Sequence, residues 1–419
     1  MTFPPSLRAL NYRNFRLYMS GQSISLIGTW MQRMAVSWLV YEMTGSAFML
    51  GLVAFAGQIP MLILAPYAGA YTDRHSRYKT LLATQIASMI QAGLLALLVL
   101  TGYYNIPVII ALSICLGIIN AFDAPSRQAL MIVLVPSKED LQNGIALNSS
   151  MVTLARLIGP VVAGFILAIW GEGICFLINF ISFGAVIYTF YAMKLHIPPR
   201  IKHDQRIWAN LLQGYHYLRR TPSLRSVIIM MGLISLLVTP YSTLFPVYAR
   251  EIFNGGVSEF SWLNSISGLG ALIGAIYLTT LRSNRKLLKI ISIAILLLSA
   301  NLCLFSFTTH FPLALFFIMA AEVGMLTLIS STNTFVQTNV DEDMRGRVIS
   351  YFLMAFAGMQ PIGALIVGAV AHVAGAQITV FLQGLAGIII ILSFIPSFRK
   401  TYARAERKAE RVRHTAIDH

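Results

Sequence analysis

The sequence predicts an all-α membrane protein whose twelve transmembrane helices form two pseudo-symmetric six-helix bundles. Three observations predict it: the composition, the number of apolar stretches and the placing of the basic residues. The chain has 419 residues, 57% of them hydrophobic and only 11% charged. A soluble chain carries roughly a quarter charged residues, so this one cannot cover its apolar surface with its own polar groups.

Windows of about 19 residues locate the spans. In the first half they fall near Phe15–Tyr41, Phe48–Tyr71, Thr80–Leu100, Pro107–Phe122, Asn143–Ile169 and Gly173–Met193. The second half repeats the count, near Val227–Tyr248, Ser261–Leu281, Leu287–Phe307, Pro312–Asn333, Val348–His372 and Gln377–Ile395. All but the shortest, Pro107–Phe122, have about the length that a bilayer core roughly 30 Å thick requires. The first apolar stretch is too long for a cleavable signal and is kept as a span.

The net charge of +15 raises the question of nucleic acid. The location of the basic residues excludes it. Of 31 Lys and Arg, all but Arg33, Arg156 and Arg250 fall on one side of the twelve-span topology, in the ends and the alternate loops. The positive-inside rule then puts both termini in the cytoplasm of a cell (inner) membrane.

These elements give four regions: a bundle over 1–193, a basic linker over 194–225, a second bundle over 226–397 and a basic tail over 398–419. In the linker, Ile207, Trp208, Leu211, Leu212, Tyr215 and Leu218 recur at helical spacing beside Arg206, Arg219 and Arg220. That pattern predicts an amphipathic helix on an anionic membrane face. A faint repeat links the halves, Glu139-Asp140 with Gly159 and Gly164 being echoed by Glu342-Asp343 with Gly363 and Gly368. Such parallel repeats meet about a central pathway.

Enzymatic apparatus is absent from the sequence. It has no phosphate-binding Gly-Lys-Ser/Thr loop, no His-Glu-x-x-His and no Gly-x-Ser-x-Gly elbow. Gly268, Gly270 and Gly274 sit within an apolar span and read as helix packing. Cys115, Cys175 and Cys303 stand singly in spans, so no metal and no cofactor is expected.

Charge inside a span costs on the order of 3 kcal/mol, so Arg33, Arg156 and Glu322 are expected to face a cavity or a partner. Two guanidinium groups suit an anionic or amphiphilic small molecule. Glu322 is read either as a proton carrier or as the neutraliser of one arginine. Gln32, Gln58, Asn120, Tyr241 and Gln360 lie at cavity depth, as do Thr239 and Asn301. Pro240 and Pro246 predict a bent seventh span.

Gly69, Asp73, Arg74 and Arg77, with Lys79, stand in the turn after the second span. The spacing resembles the signature of the major facilitator superfamily, with Ser76 in place of a glycine. Asn11-Tyr12-Arg13-Asn14-Phe15-Arg16, Gly28-Thr29-Trp30-Met31-Gln32, Asp123-Ala124-Pro125-Ser126-Arg127 and Arg345-Gly346-Arg347-Val348 narrow the resemblance to the enterobactin-exporter (transmembrane secretion effector) subfamily. The resemblance implies a cytoplasmic gate. Asp73 would face the start of the eleventh span and Arg77 would pair with Asp123, both contacts breaking when the carrier turns inward. Gly159-Pro160 and Gly164 resemble the glycine-proline element of exporters in that superfamily. The expected function is proton-driven export of a small molecule such as a siderophore. The alternatives are a lysophospholipid or multidrug transporter, a siderophore importer, or a receptor that kept the carrier fold.

Overall fold

The computed structural model describes residues 4–193, 207–279 and 287–417. Ten segments are long and apolar enough to cross a membrane. One of them, α5 (Lys138–Ala192, 55 residues), holds two spans, because Gly171 breaks it at φ 78° and ψ −176°. A left-handed φ of that kind suits only a residue without a Cβ. The twelfth is α1 (Arg13–Thr44), whose 32 residues would reach about 48 Å at helical rise. Its arginines and glutamines keep its hydropathy low.

The remaining helices follow in order. They are α2 (Ala47–Arg74), α3 (Arg77–Leu100), α4 (Ile106–Leu134), α6 (Ile207–Arg220), α7 (Pro222–Leu237), α8 (Phe245–Val247), α9 (Val257–Thr279), α10 (Leu287–Ser306), α11 (Phe311–Asn339), α12 (Arg345–Leu353), α13 (Met359–Ala374) and α14 (Ala376–Ile417). Side-chain caps start several of them. Ser46, Ser76 and Asn105 accept the N–H of Met49, Lys79 and Val108. Ser76, which replaces the superfamily's glycine, is therefore the cap of α3. The seventh span is bent as its prolines predict, passing from α7 through a 3-10 turn, Thr239–Leu244, into α8 and a π turn, Tyr248–Ile252. In the last helix, α14 runs past the expected boundary at 397 without a break.

The two bundles repeat each other in how their glycines pack. A Cβ on Gly159 of α5 would strike Trp30 and Ile27 of α1, while one on Gly363 of α13 would strike Leu236 and Pro240 of the seventh span. Further along, Gly164 lies against Ser261 of α9, and Gly368 lies against Ala47 and Gly51 of α2. Spans five and eleven thus use equivalent glycines to approach equivalent neighbours. The second pair of contacts crosses from one half to the other.

Those crossing seams close one end of the molecule. There Trp38 stacks on Phe260 with ring centroids 5.7 Å apart, and Tyr41 donates to Glu251 at 2.5 Å. At the other end, where the described chain begins and ends, α2 is exposed over a broad arc at Met61, Ile63, Ala65, Pro66 and Tyr67. Lipid can account for only one side of such a helix. The other side borders an opening between the halves.

Candidate functional site

A cavity of about 670 Å³ lies between the bundles and reaches the uncovered end at Asp123 and Ala124. Its wall alternates apolar and polar groups from both halves, including Trp30, Gln58 and Asn120 from one and Phe260, Asn264 and Gln360 from the other. Arg33, Arg156 and Glu322 all line it. The three intramembrane charges singled out in the sequence are brought together.

Their environments differ. Glu322 is buried, and its Oε1 accepts from Ser267 Oγ at 2.6 Å, Tyr241 OH at 2.8 Å and Arg156 Nη2 at 3.1 Å. The same guanidinium nitrogen is 3.2 Å from Oε2 and 3.4 Å from Ser267 Oγ. Three donors converge on one carboxylate, and Arg156 on α5 is tied to α11 across the midline. Pro160 sits one turn beyond Arg156 and has no N–H, so it cannot bond the Arg156 carbonyl. That carbonyl instead lies beside Gly268 of α9. Its own carbonyl accepts from Ser261 Oγ of the same helix at 2.6 Å.

Arg33 has no carboxylate partner among the described residues. Its guanidinium lies over the Trp30 ring at 5.0 Å from the centroid, and that of Arg156 lies 6.0 Å from the same ring. Two cations on one indole leave the cavity with an excess of positive charge beside Arg33. Gly159 packs on the backbone side of Trp30 and so sets the height of the ring.

The other predicted side chains divide. Gln360, Asn120 and Thr239 line the cavity, as does Gln58, which also donates to the Ala54 carbonyl. Gln32 reaches the wall but is buried in a chain of bonds inside the first bundle, giving one to Gln91 and receiving one from Asn179. Asn301 is turned to its own helix at Leu297.

The expected Arg77–Asp123 pair is replaced. Asp123 is held by Arg127, one turn away on α4, at 2.6 Å, and accepts from Gln85 at 2.6 Å and Thr84 at 3.0 Å. Arg77 donates to the Ala129 carbonyl at 3.0 Å. The i, i+4 spacing gives Arg127 the nearer approach. Gly69 has nothing within reach of a Cβ, and Arg74 is exposed at the end of α2. The Asp73 side chain lies outside the described residues.

The transmembrane secretion effector family model matches residues 5–416. The chain belongs to this family of the major facilitator superfamily. It is 26% identical to a staphyloferrin A transporter of Staphylococcus aureus, over 93% of this chain and 98% of that one. With macrolide efflux protein A of Streptococcus pyogenes the identity is 25% over the same shares. Among solved structures, a POT family transporter in complex with a thioalcohol-conjugated peptide superposes with a TM-score of 0.74 at 14% identity, covering 93% of this chain and 96% of that one. This member of the secretion effector family is a multi-pass membrane transporter and not an enzyme.

Sequence reasoning missed several of the transporter's site residues. Ser267 and Asn264 carried no reading, Ser261 marked only the start of a span and Trp30 stood only within a segment of the resemblance, yet each touches the cavity or the seam beside it. Arg127 was legible: its i, i+4 spacing from Asp123 is the signal of a helix ion pair.

Proposed function

We propose that this transporter works by alternating access and exports an anionic or amphiphilic small molecule, a siderophore being the sharpest candidate, in exchange for protons. The observation that carries the reading is the Arg156–Glu322 pair bridging the halves beside Arg33, which has no carboxylate partner among the described residues. With the termini in the cytoplasm, the cavity in this conformation opens inward and can receive cargo from the cell.

Protonation of Glu322 removes the counter-charge of Arg156 and cuts the tie between α5 and α11. Proton occupancy thereby biases which end is open. The division of labour between the arginines follows from linkage. An anion that drew Arg156 away would leave Glu322 to take up a proton, and the two would travel together. Exchange requires the anion to rest on Arg33, leaving Arg156 to Glu322.

The staphyloferrin A transporter relative supports a siderophore cargo. The macrolide efflux relatives, with Trp30, Phe260 and Phe356 in the wall, favour an amphiphilic drug as the second reading. Uptake of radiolabelled staphyloferrin A into inside-out vesicles tests the first. Arg33→Gln removes charge-assisted bonds of about 1.5–3 kcal/mol, so KM should rise roughly 10- to 100-fold. Glu322→Gln should abolish acceleration by an imposed pH gradient. Gradient-driven uptake that survives Glu322→Gln removes this carboxylate from coupling, and uptake of a macrolide but not the siderophore selects the second reading.

A further inference from the structure

The linker helix α6 has no place in the transport cycle just described, and its surface is divided in three. Leu211, Gly214, Tyr217 and Leu218 face the protein: Leu211 offers its carbonyl to Tyr351 of α12 at 3.0 Å, Tyr217 accepts the Asp341 N–H at 3.2 Å, and Gly214 sits against Tyr351 and Arg347. Gln213, His216 and Arg220 form an exposed polar face. Leu212, Tyr215 and Arg219 form the third face, within about 60° of each other at helical periodicity. Leu212 and Tyr215 are 59% and 52% exposed, although they are the apolar members of the helix that packing leaves over.

The helix also lies apart from the span it precedes. Pro222 pushes Thr221 out of the helical region, to φ −115° and ψ 81°, so α6 is not a continuation of α7. Its attachments, Asp341 and Tyr351, stand at the ends of α11 and α12 on the same side as the cavity opening. The helix sequence contains Arg219 and Arg220 and no acidic residue, and Arg225 follows in α7.

We propose that the Leu212–Tyr215–Arg219 face of α6 lies in the headgroup layer of the membrane and binds anionic phospholipid. Leucine and tyrosine enter the acyl boundary, tyrosine keeping its hydroxyl at the polar level, while arginine reaches the phosphates. The wholly basic helix matches a negative lipid surface and repels a basic partner. Because α6 is bonded to α12, lipid held here anchors the second bundle at the mouth of the cavity.

Nitroxide labels on Leu212→Cys, Tyr215→Cys, Gln213→Cys and His216→Cys test this in the full chain with Cys115→Ser, Cys115 being exposed. Nanodiscs of phosphatidylcholine alone are compared with ones holding about 30% phosphatidylglycerol, each arginine near the surface contributing roughly five-fold to lipid affinity. With phosphatidylglycerol, labels at 212 and 215 should collide with oxygen more than with a nickel chelate, and labels at 213 and 216 the reverse. Arg219→Glu should remove the dependence on phosphatidylglycerol. Three outcomes overturn the proposal: nickel access at 212 and 215 equal to that at 216, shielding of 212 and 215 from both reagents as under a second copy of the chain, or depth unchanged by phosphatidylglycerol.

Discussion

The two ends of α2 are made of similar residues and behave oppositely. Near Gly51 its backbone meets that of α13, a Cβ there falling 2.5 Å from the Ala364 carbonyl and 3.0 Å from the Gly368 Cα. Near Gly69 nothing lies within 4 Å of such a Cβ. The difference shows which end must be undone for the carrier to turn over. One end is held by backbone proximity and aromatic stacking, while at the other no such close approach is made at Gly69. The Arg156–Glu322 pair lies between them.

The pair should give the largest effect. Glu322→Ala strands a guanidinium, which costs about 3 kcal/mol at the lower end of the buried-pair range, because Arg156 is 35% exposed. Thermal unfolding in detergent should fall accordingly, and Arg156→Met with Glu322→Leu should recover most of the loss. Failure of the double variant to recover would mean that the two ends, and not the pair, hold the halves together.

Next comes the closed end. Gly51→Leu pushes backbone against backbone, an overpacking cost of about 1–3 kcal/mol in this conformation alone. Labelling of a cysteine at Ser37 by an impermeant thiol reagent from the closed side should rise at least several-fold. At the other end, Gly69→Ala should leave the melting temperature of this conformation unchanged while slowing transport, if closure there copies the close approach seen at Gly51. Equal transport by Gly69→Ala breaks the comparison. Trp38→Ala removes a stacked pair worth about 1 kcal/mol beyond its area, and should raise the same labelling roughly five-fold.

The sequence carried the fold further than the site. Hydropathy and basic-residue placement depend on composition along one chain, and even the polar α1 was legible because its length spans the bilayer. That Arg156, Glu322 and Arg33 face one cavity was also legible, since burying each charge alone is costly. Which arginine meets Glu322 was not. That choice depends on the register of α5 against α9 and α11, set by contacts such as Gly164 with Ser261 and Gly270 with Met319, and small residues at helical spacing permit many registers. Gln32 shows the converse. It lies at cavity depth, but partners on α3 and the second half of α5 bind it within its own bundle. The expected Arg77–Asp123 contact gives way to Arg127 on Asp123 and the Ala129 carbonyl on Arg77, and a single sequence does not say which end is open.

The smallest expected effect lies at the open end, outside the bilayer. Before α1, the turn Pro5–Asn11 is fastened to the start of α5: Arg8 pairs with Asp140 at 2.8 Å, and Asn143 binds the Ala9 N–H at 3.0 Å. Tyr12 donates to the same Asp140 carboxylate at 2.9 Å, and that bond, with the nearby negative charge, raises its pKa above the ordinary phenol value of 10.0. A raised pKa means that the folded state binds the proton more tightly than the unfolded one. The contribution is therefore complete below about pH 10 and is lost as pH rises through the folded value. The difference in melting temperature between wild type and Tyr12→Phe should be present at pH 8 and vanish at higher pH, while Glu322→Ala keeps its penalty. A Tyr12→Phe difference that persists unchanged above the phenol range would show that the Tyr12 contribution rests on packing and not on its bond to Asp140, leaving Arg8 as the charged tie to α5.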